Sequence, residues 1–281
     1  MQIIEPVIKD IGDLVVRRVL PSANRRAVGP FVFFDHFGPA EFPPGEGIQV
    51  RPHPHIGLAT VTYLYEGEII HRDSLGKHQP IRPGAVNLMT AGRGIVHSER
   101  AGEDIDRQVT MHGLQIWLAL PDGDEECEPD FVHHPADTIP TVEDEGVKVN
   151  VVMGGFRGVE SPVKHRVRTL YLDIRLAADR ELQVPGDVAE IAAYVISGHL
   201  DLEDARLEPG QMGVIAPGTN IGSTTDSHFV LVGGDSVGRR HVWWNFVSSS
   251  KERIQQAADQ WRRGGFPLVP GDEKEFIPLP D

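Results

Sequence analysis

The feature that most constrains the fold is a pair of segments that each occur twice along the chain. YLYEGE at 63–68 resembles YVISGH at 194–199, and IRPGAVNLMTAG at 81–92 resembles LEPGQMGVIAPG at 207–218. The matches occur in the same order, with Gly67 and Gly198 separated by 131 residues and Gly84 and Gly210 by 126. Two ordered matches at similar spacing indicate an internal duplication, so the sequence predicts two lobes of similar fold.

Each lobe is expected to consist of short antiparallel strands. Segments rich in β-branched and aromatic residues, such as 59–65 and 114–120, alternate with turns that use the 30 glycines and 22 prolines of the chain. Turns every eight to twelve residues are typical of a sandwich or barrel. Strand patterning returns at 147–153 and 168–177.

One helix is predicted near the C-terminal end. Ser249 and Glu252 have capping-box spacing, and Ile254, Ala257, Ala258 and Trp261 repeat at helical spacing before Gly264-Gly265. The apolar stripe is expected to pack on a sheet or on the other lobe.

Charge and composition exclude several classes of function. The formal net charge of −14 argues against nucleic acid or anionic membrane as a partner, because both require basic surface. The single cysteine, Cys127, excludes an internal disulfide and fits a reducing compartment. The N-terminal residues do not resemble a signal peptide, and no apolar run approaches the roughly 20 residues of a membrane span. A cytoplasmic location is therefore expected.

Two short histidine motifs predict a metal site. His53-Pro-His55 and His97-Ser-Glu99 each place two donors at positions i and i+2, which share one face of a strand. Three imidazole nitrogens and one carboxylate could then converge on Fe(II), Mn, Ni, Cu or Zn, whereas Mg and Ca prefer oxygen ligands. The alternative interpretation of the first motif is a pair of surface histidines in a proline-rich loop.

Structural roles are expected for the remaining candidate residues. His71 and His112 are interpreted as strand histidines with pocket lining as the alternative, and His36 has no evident donor role. His133 and His134 are expected to be exposed, and the acidic run 122–130 is expected to be a solvated loop between the lobes. The tryptophans are interpreted as core residues; they are Trp117, Trp243 and Trp244.

The run from His53 to Glu99, with HPHIGLATVTYLYEGEIIHRDSLG and MTAGRGIVHSER, resembles the pirin family of the cupin superfamily. The FDHFGP segment at 34–39, GLQIWLALP at 113–121 and the terminal helix also fit. The resemblance implies an all-β bicupin of two antiparallel β-barrel lobes, of the double-stranded β-helix or jelly-roll type, with a C-terminal amphipathic helix. The expected lobes are 1–130, which carries the metal site, and 131–281, which lacks metal ligands and ends in the helix.

The resemblance also implies a ligand set and an activity. The ligands correspond to His53, His55, His97 and Glu99, around a mononuclear divalent metal for which Fe(II) is expected and Mn, Ni, Co, Cu or Zn are alternatives. Some members are quercetin 2,3-dioxygenases, which open a flavonol ring with O₂ and release carbon monoxide; Glu99 could then ligate the metal or act as a base. A small planar polyphenol and O₂ are the partners in that case.

Other members of the family imply a different class of function. They are regulatory proteins whose metal-dependent surface binds a transcription factor or metabolic enzyme, and an inert bicupin without metal is a third possibility. The chain departs from the HPHRGFET-type run at Ile56, Leu58 and Ala59. These changes are expected to alter polarity next to the metal.

Overall fold

A computed structural model describes residues 1–103 and 105–280. Apart from one helix and one short 3₁₀ turn, the described regular elements are strands. Those of the first half are β1 Gln2–Ile4, β2 Val7–Asp10, β3 Val15–Leu20, β4 Phe31–Phe42, β5 Gln49–His55, β6 Leu58–Glu66, β7 Ile69–Asp73, β8 His78–Ile81, β9 Val86–Thr90, β10 Ile95–Ala101, β11 Val109–Ala119 and β12 Asp130–His134.

The second half continues this pattern and adds the helix. The 3₁₀ turn is Ala136–Thr138 and the helix is α1 Lys251–Arg262. The strands are β13 Thr141–Asp144, β14 Val147–Met153, β15 Gly155–Phe156, β16 Val159–Glu160, β17 Thr169–Leu176, β18 Arg180–Gln183, β19 Glu190–Ser197, β20 Leu200–Leu202, β21 Ala205–Leu207, β22 Met212–Ile215, β23 Asn220–Ser223, β24 Ser227–Gly234, β25 His241–Trp243 and β26 Phe246–Ser248.

The chain forms two compact units that are not continuous in sequence. The histidine lobe contains Lys9–Val16, His36–Ala136 and the segment that begins at Val237. The apolar lobe contains Met1–Ile8, Arg17–Asp35 and Asp137–Ser236. The predicted ranges 1–130 and 131–281 are continuous, but the observed units are not. The N-terminal strand β1 pairs with β22 and so belongs to the apolar lobe, whereas the C-terminal helix α1 packs on β26 and belongs to the histidine lobe.

The two lobes share one strand order. The strands of the histidine lobe belong to a seven-stranded sheet of order β12-β9-β6-β11-β4-β3-β2 and to a four-stranded sheet of order β5-β10-β7-β8. The apolar lobe has the matching orders β1-β22-β19-β24-β17-β14-β13 and β18-β23-β20-β21. Each lobe therefore repeats the other strand by strand, with β6, β9 and β11 corresponding to β19, β22 and β24.

The repeated sequence segments occupy equivalent places. The Gly84 N–H donates to the Leu64 carbonyl at 3.0 Å, and the Gly210 N–H donates to the Val195 carbonyl at 2.8 Å. Both glycines have positive φ, 78° and 88°. The predicted duplication therefore has a direct structural counterpart in these turns.

The all-β class and the two-lobe organisation are confirmed, but closed barrels are not. Among the described residues, each lobe consists of two open sheets whose edge strands differ, such as β12 and β2, instead of one continuous ring of hydrogen bonds. Each lobe is thus a sandwich-like pair of sheets.

The helix begins one residue later than its sequence signal suggests. The N-cap is Ser250, whose side chain accepts the Arg253 N–H at 3.2 Å. Ser249 instead donates through its N–H and hydroxyl to Glu125. The predicted apolar stripe is confirmed, because Ile254, Ala257 and Ala258 are buried against Phe246 and its neighbours in the histidine lobe.

Two expectations about side-chain exposure are wrong. The acidic run is not fully solvated: Glu125 is buried and accepts a charged hydrogen bond of 2.8 Å from Arg240. Trp243 is 40% exposed, so it is not a core residue, whereas Trp117 is buried. No helix within the described ranges is both long and apolar enough to cross a membrane.

Candidate metal centre

The first histidine motif lies on an edge strand, which explains how a proline-rich segment can form a strand. Strand β5 pairs only with β10 in its sheet, so the missing N–H groups of Pro52 and Pro54 interrupt no second ladder. A register shift separates the Val50 pairing from that of His53. Beyond it, His53 and His55 keep the i, i+2 alternation that the sequence predicts.

The second motif lies on the neighbouring strand. On β10, His97 is opposite His53, and Ile95 is opposite His55. The pairing of β10 with β7 is regular from His97 to Ala101, so His97 and Glu99 share one face of the strand. The two predicted pairs are therefore brought to adjacent strands.

Three of the four predicted ligands converge. Candidate ligand atoms of His53, His55 and His97 all lie within 4.8 Å of one another, and these residues form the one such metal-binding group found in the described part of the chain. The Nε2 atoms of His55 and His97 are 3.1 Å apart. The Glu99 carboxylate is not within this limit of all three histidines. All four residues are buried.

Backbone carbonyls orient two of the imidazole rings. The Nδ1 of His53 lies 2.9 Å from the Arg51 carbonyl, and the Nδ1 of His55 lies 3.1 Å from the Asn245 carbonyl. A carbonyl can only accept, so each Nδ1 carries the proton and each Nε2 presents a lone pair. This is the outer hydrogen bond typical of histidines that ligate metals.

A strained hairpin supplies the Asn245 carbonyl. Strands β25 and β26 pair through Trp243 and Phe246, which leaves Trp244 and Asn245 as a two-residue turn. Trp244 has a φ of 52°, a conformation unfavourable for a bulky residue. Its ring packs on Phe246 with centroids 5.3 Å apart, which offsets part of that strain.

Burial keeps the histidines neutral. Desolvation lowers the pKa of His53 to about 4. Desolvation, followed by the positive charge that neighbouring histidines would carry, holds the pKa values of His55 and His97 well below the ordinary value. Neutral imidazoles are the form that binds metal.

Glu99 has the opposite shift. Burial raises its pKa to about 7, and a hydrogen bond from Thr62 lowers it in part. The Thr62 hydroxyl also lies 2.8 Å from Oε1 of Gln115. A carboxyl group with a pKa near neutrality can hold or release a proton at physiological pH.

The donor set fits a divalent cation of the first transition series. The Nε2 atoms of His55 and His97 face each other at 3.1 Å; where both present lone pairs, a cation between them relieves their repulsion, and the lowered pKa values disfavour a positively charged imidazolium in its place. His53, His55 and His97 would therefore hold an ion of this kind.

The remaining candidates have structural surroundings of differing kinds. His71 is buried and lies beside His97, as in the pocket-lining alternative for this residue. His112 contacts His36 at 2.8 Å between their Nε2 atoms. His133 and His134, which were expected to be exposed, are half-buried, and the Nδ1 of His133 lies 2.7 Å from Oδ1 of Asn87.

The departure at Ile56 falls outside the metal pocket. Ile56 is buried in an apolar cluster with Val96, Phe246 and Ala257, on which the helix packs. Its alternation with His55 along the chain turns its side chain away from the ligands. Ile56 therefore contacts the helix and does not change the polarity beside the histidines, contrary to the expectation at this position.

Comparison with known families decides the classification. The Pirin family model matches residues 13–118, and the model of the pirin C-terminal cupin domain matches residues 171–267. The chain belongs to the pirin family. A pirin-like protein from Caulobacter vibrioides is 45% identical over 97% of this chain and 96% of its own length.

Two further relatives carry the name of an enzyme. A putative quercetin 2,3-dioxygenase from Pseudomonas aeruginosa is 37% identical over 90% of this chain and 80% of its own length. A crystal structure of quercetin 2,3-dioxygenase from Acinetobacter baumannii superposes with a TM-score of 0.92 at 34% identity, covering 100% of this chain and 95% of that one. The bicupin fold of the pirin family is therefore established for this chain.

Proposed function

We propose that the chain binds one divalent transition-metal ion through His53, His55 and His97, with Glu99 as a fourth ligand or as a base. The observation that supports this is the convergence of three neutral, buried imidazoles on one point. Fe(II) is the expected ion, since mixed nitrogen and carboxylate donors with open positions suit it; Mn, Ni, Co, Cu and Zn are alternatives.

We further propose that the metal centre catalyses dioxygenation of a flavonol-like polyphenol, with cleavage of the ring and release of carbon monoxide. Support comes from the two similar proteins named as quercetin 2,3-dioxygenases. A bound metal ion would supply Lewis-acid and redox chemistry toward the flavonol oxygen and O₂.

In this proposal Glu99 removes the proton of the flavonol hydroxyl. Its pKa of about 7 makes the carboxylate available at neutral pH while keeping it basic enough to accept that proton. Thr62 holds the carboxyl group, and Gln115 in turn contacts Thr62. Burial of the site excludes bulk water from the carboxylate and the histidines.

The test combines metal analysis with a quercetin assay. Protein loaded separately with Fe, Mn, Ni, Co or Cu is mixed with quercetin, and oxygen uptake and carbon monoxide release are followed. We expect one metal per chain and turnover with at least one ion. His55→Ala should lose both metal and turnover, whereas Glu99→Gln should lose turnover more than metal.

A matched control comes from the other lobe. His199→Ala replaces a histidine that contacts Thr224 and Thr225 in the apolar lobe, and it should change neither metal content nor turnover. Stoichiometric metal without turnover for every ion would refute the dioxygenase. It would leave the regulatory protein with a metal-dependent partner as the function to pursue.

A further inference from the structure

A buried chain of polar groups extends from His97 away from the other ligands. The Nδ1 of His97 lies 3.4 Å from the Nδ1 of His71, and the Nε2 of His71 lies 3.0 Å from Oδ2 of Asp73. His71 is 3% exposed and Asp73 is 0% exposed. Neither residue belongs to the metal-binding group.

The hydrogen bonds of Asp73 fix the direction of this chain. Its Oδ1 accepts the backbone N–H groups of Leu75 and Lys77, so Oδ2 is the atom that faces His71. A carboxylate only accepts, so His71 carries a proton on Nε2, and in the neutral imidazole its Nδ1 then has a lone pair. That lone pair accepts the Nδ1–H of His97, and the Nε2 of His97 is left as the metal-binding atom.

We infer that Asp73, acting through His71, sets the tautomer and the ring orientation of His97, and so prepares this histidine to bind the metal. His53 and His55 obtain the same orientation directly from backbone carbonyls. On β10 no equivalent carbonyl contact to His97 is present among the described residues, and the two side chains of β7 replace it. This inference rests on the metal binding proposed above, but not on the dioxygenase reaction.

The substitution Asp73→Asn should reverse the donor and acceptor roles in the hydrogen bonds that join residue 73, His71 and His97. The N–H groups of Leu75 and Lys77 both require an acceptor, so they hold the Asn oxygen and force the amide nitrogen toward His71. The amide then donates to the Nε2 of His71, whose proton moves to Nδ1. His97 must now accept at Nδ1, which places its own proton on Nε2, the atom that should bind the metal.

We expect Asp73→Asn to bind metal about 10 to 100 times more weakly than the wild type, measured by competition with a chromophoric chelator. The tautomer itself is read without metal, because the ¹⁵N shifts of the imidazole ring distinguish protonated from unprotonated nitrogens. The wild-type His97 should be protonated at Nδ1 and the variant at Nε2. A purely structural role of Asp73 would leave this tautomer unchanged.

The apolar lobe offers a matched control. The Nε2 of His228 lies 2.6 Å from Oδ1 of Asp173, and both residues are buried. Asp173→Asn therefore changes a similar His–Asp pair that is remote from the ligands in sequence and belongs to the other lobe. It should leave metal affinity within a factor of two of the wild type.

A double substitution distinguishes an effect of Asp73 that passes through His71, here called the relay, from a direct effect of the Asp73 charge on the metal. His71→Phe removes the acceptor for His97, so it should weaken metal binding by itself, and it serves as the test should Asp73→Asn fail to fold. In the His71→Phe background, Asp73→Asn should have no further effect. Additive losses would instead show that Asp73 acts on the metal through its charge alone.

The outcomes distinguish this inference from the proposed metal site. A wild type that binds no metal would refute the metal site itself. A wild type that binds metal, together with an Asp73→Asn variant of equal affinity and unchanged His97 tautomer, would refute only the relay.

Discussion

The two lobes have the same order of strands, but one equivalent pair of strands presents different side chains in each lobe. In the histidine lobe, β5 and β10 are paired through His53 and His97. In the apolar lobe the corresponding strands β18 and β23 are paired through Leu182 and Ile221, which are buried in a large apolar cluster. Shared topology therefore does not determine the chemistry; the side chains at one pair of strands do.

The difference also appears in the segments of chain that contact these strands. The segment that begins at Val237 packs on the histidine lobe, where Asn245 orients His55 and the Ile277 N–H donates to the Pro52 carbonyl at 2.9 Å. Arg100 on β10 forms an ion pair of 2.7 Å with Asp272. The histidine lobe thus has its own apolar cluster around Phe37 and Leu64, and its C-terminal segment also contacts the strands that carry the histidines, whereas the equivalent strands of the apolar lobe pack into its core.

The largest expected effect tests the apolar core. Phe229 is fully buried in the apolar lobe, and Phe229→Ala should lower the free energy of unfolding by about 3–5 kcal/mol, because it removes a large side chain and leaves a cavity. Urea denaturation of the metal-free protein measures the loss.

Two further variants sharpen this contrast between the lobes. Phe276→Ala affects a ring that is 59% exposed and should cost much less. His97→Leu places an apolar side chain where two imidazole lone pairs face each other, so it should also cost less than Phe229→Ala in the absence of metal. If Phe229→Ala were as mild as these two, the apolar lobe would not depend on its core as described.

The next effect concerns the support of the histidine lobe. Glu125 bonds to Arg240, Ser248 and Ser249, and the Arg240 side chain is 3% exposed. Glu125→Ala leaves a buried guanidinium with one charged partner fewer, which should cost about 3 kcal/mol. It should also weaken metal binding, because β26 directly follows Asn245.

A paired replacement provides the control for the Glu125–Arg240 ion pair. Glu125→Leu combined with Arg240→Met removes both charges and should recover most of the lost stability. A single Glu125→Ala variant with unchanged unfolding and unchanged metal affinity would contradict the role assigned to the segment after Val237.

Local spacing was sufficient to predict the duplication and the convergence of His53, His55 and His97, because i, i+2 alternation and turn glycines are local properties of a strand and its ends. It could not reveal the partners that come from far along the chain. Asn245 lies 190 residues after His55, and its contribution is a backbone carbonyl that no sequence motif encodes. The sequence marked His71 only as a strand histidine, and its place beside His97 follows from the pairing of β7 with β10.

The one-residue error in the predicted helix cap has a similar cause. Ser249 and Ser250 both have the chemistry of an N-cap, and the local pattern favoured Ser249 through its spacing to Glu252. The structure uses Ser249 to bind Glu125, which is distant in sequence. The exposure of Trp243 and the burial of Glu125 follow from the same long-range packing and lie beyond a local pattern.

A smaller effect is the pH dependence that Glu99 confers on the metal-free histidine lobe. Its pKa is raised from 4.5 to about 7 in the folded protein, so the folded state holds a proton that the unfolded chain releases. Its contribution is fully present below pH 4.5 and is lost as the pH rises through about 7, with an upper bound of roughly 3 kcal/mol.

The histidines oppose this trend, so the effect must be isolated by substitution. The lowered pKa of His53 contributes stability that is lost as the pH falls toward about 4. Glu99→Gln removes only the carboxyl titration. Relative to this variant, the metal-free wild type should become less stable between pH 5 and pH 8; a constant difference would show that Glu99 is not a buried acid.

The smallest effect tests whether the equivalence of the lobes extends to single backbone positions. Gly84 and Gly210 have positive φ and occupy the same turn in the two lobes, so Gly84→Ala and Gly210→Ala should each cost about 1–2 kcal/mol. The cost should be similar because an added Cβ would meet neighbours no closer than 3.2 Å and 3.5 Å, respectively, which leaves backbone strain as the main term. Gly123→Ala is the control, since a Cβ there would meet nothing within 4 Å and its φ is not positive. Clearly unequal costs at positions 84 and 210 would limit the duplication to the order of the strands, because the turns would then be stabilised in different ways.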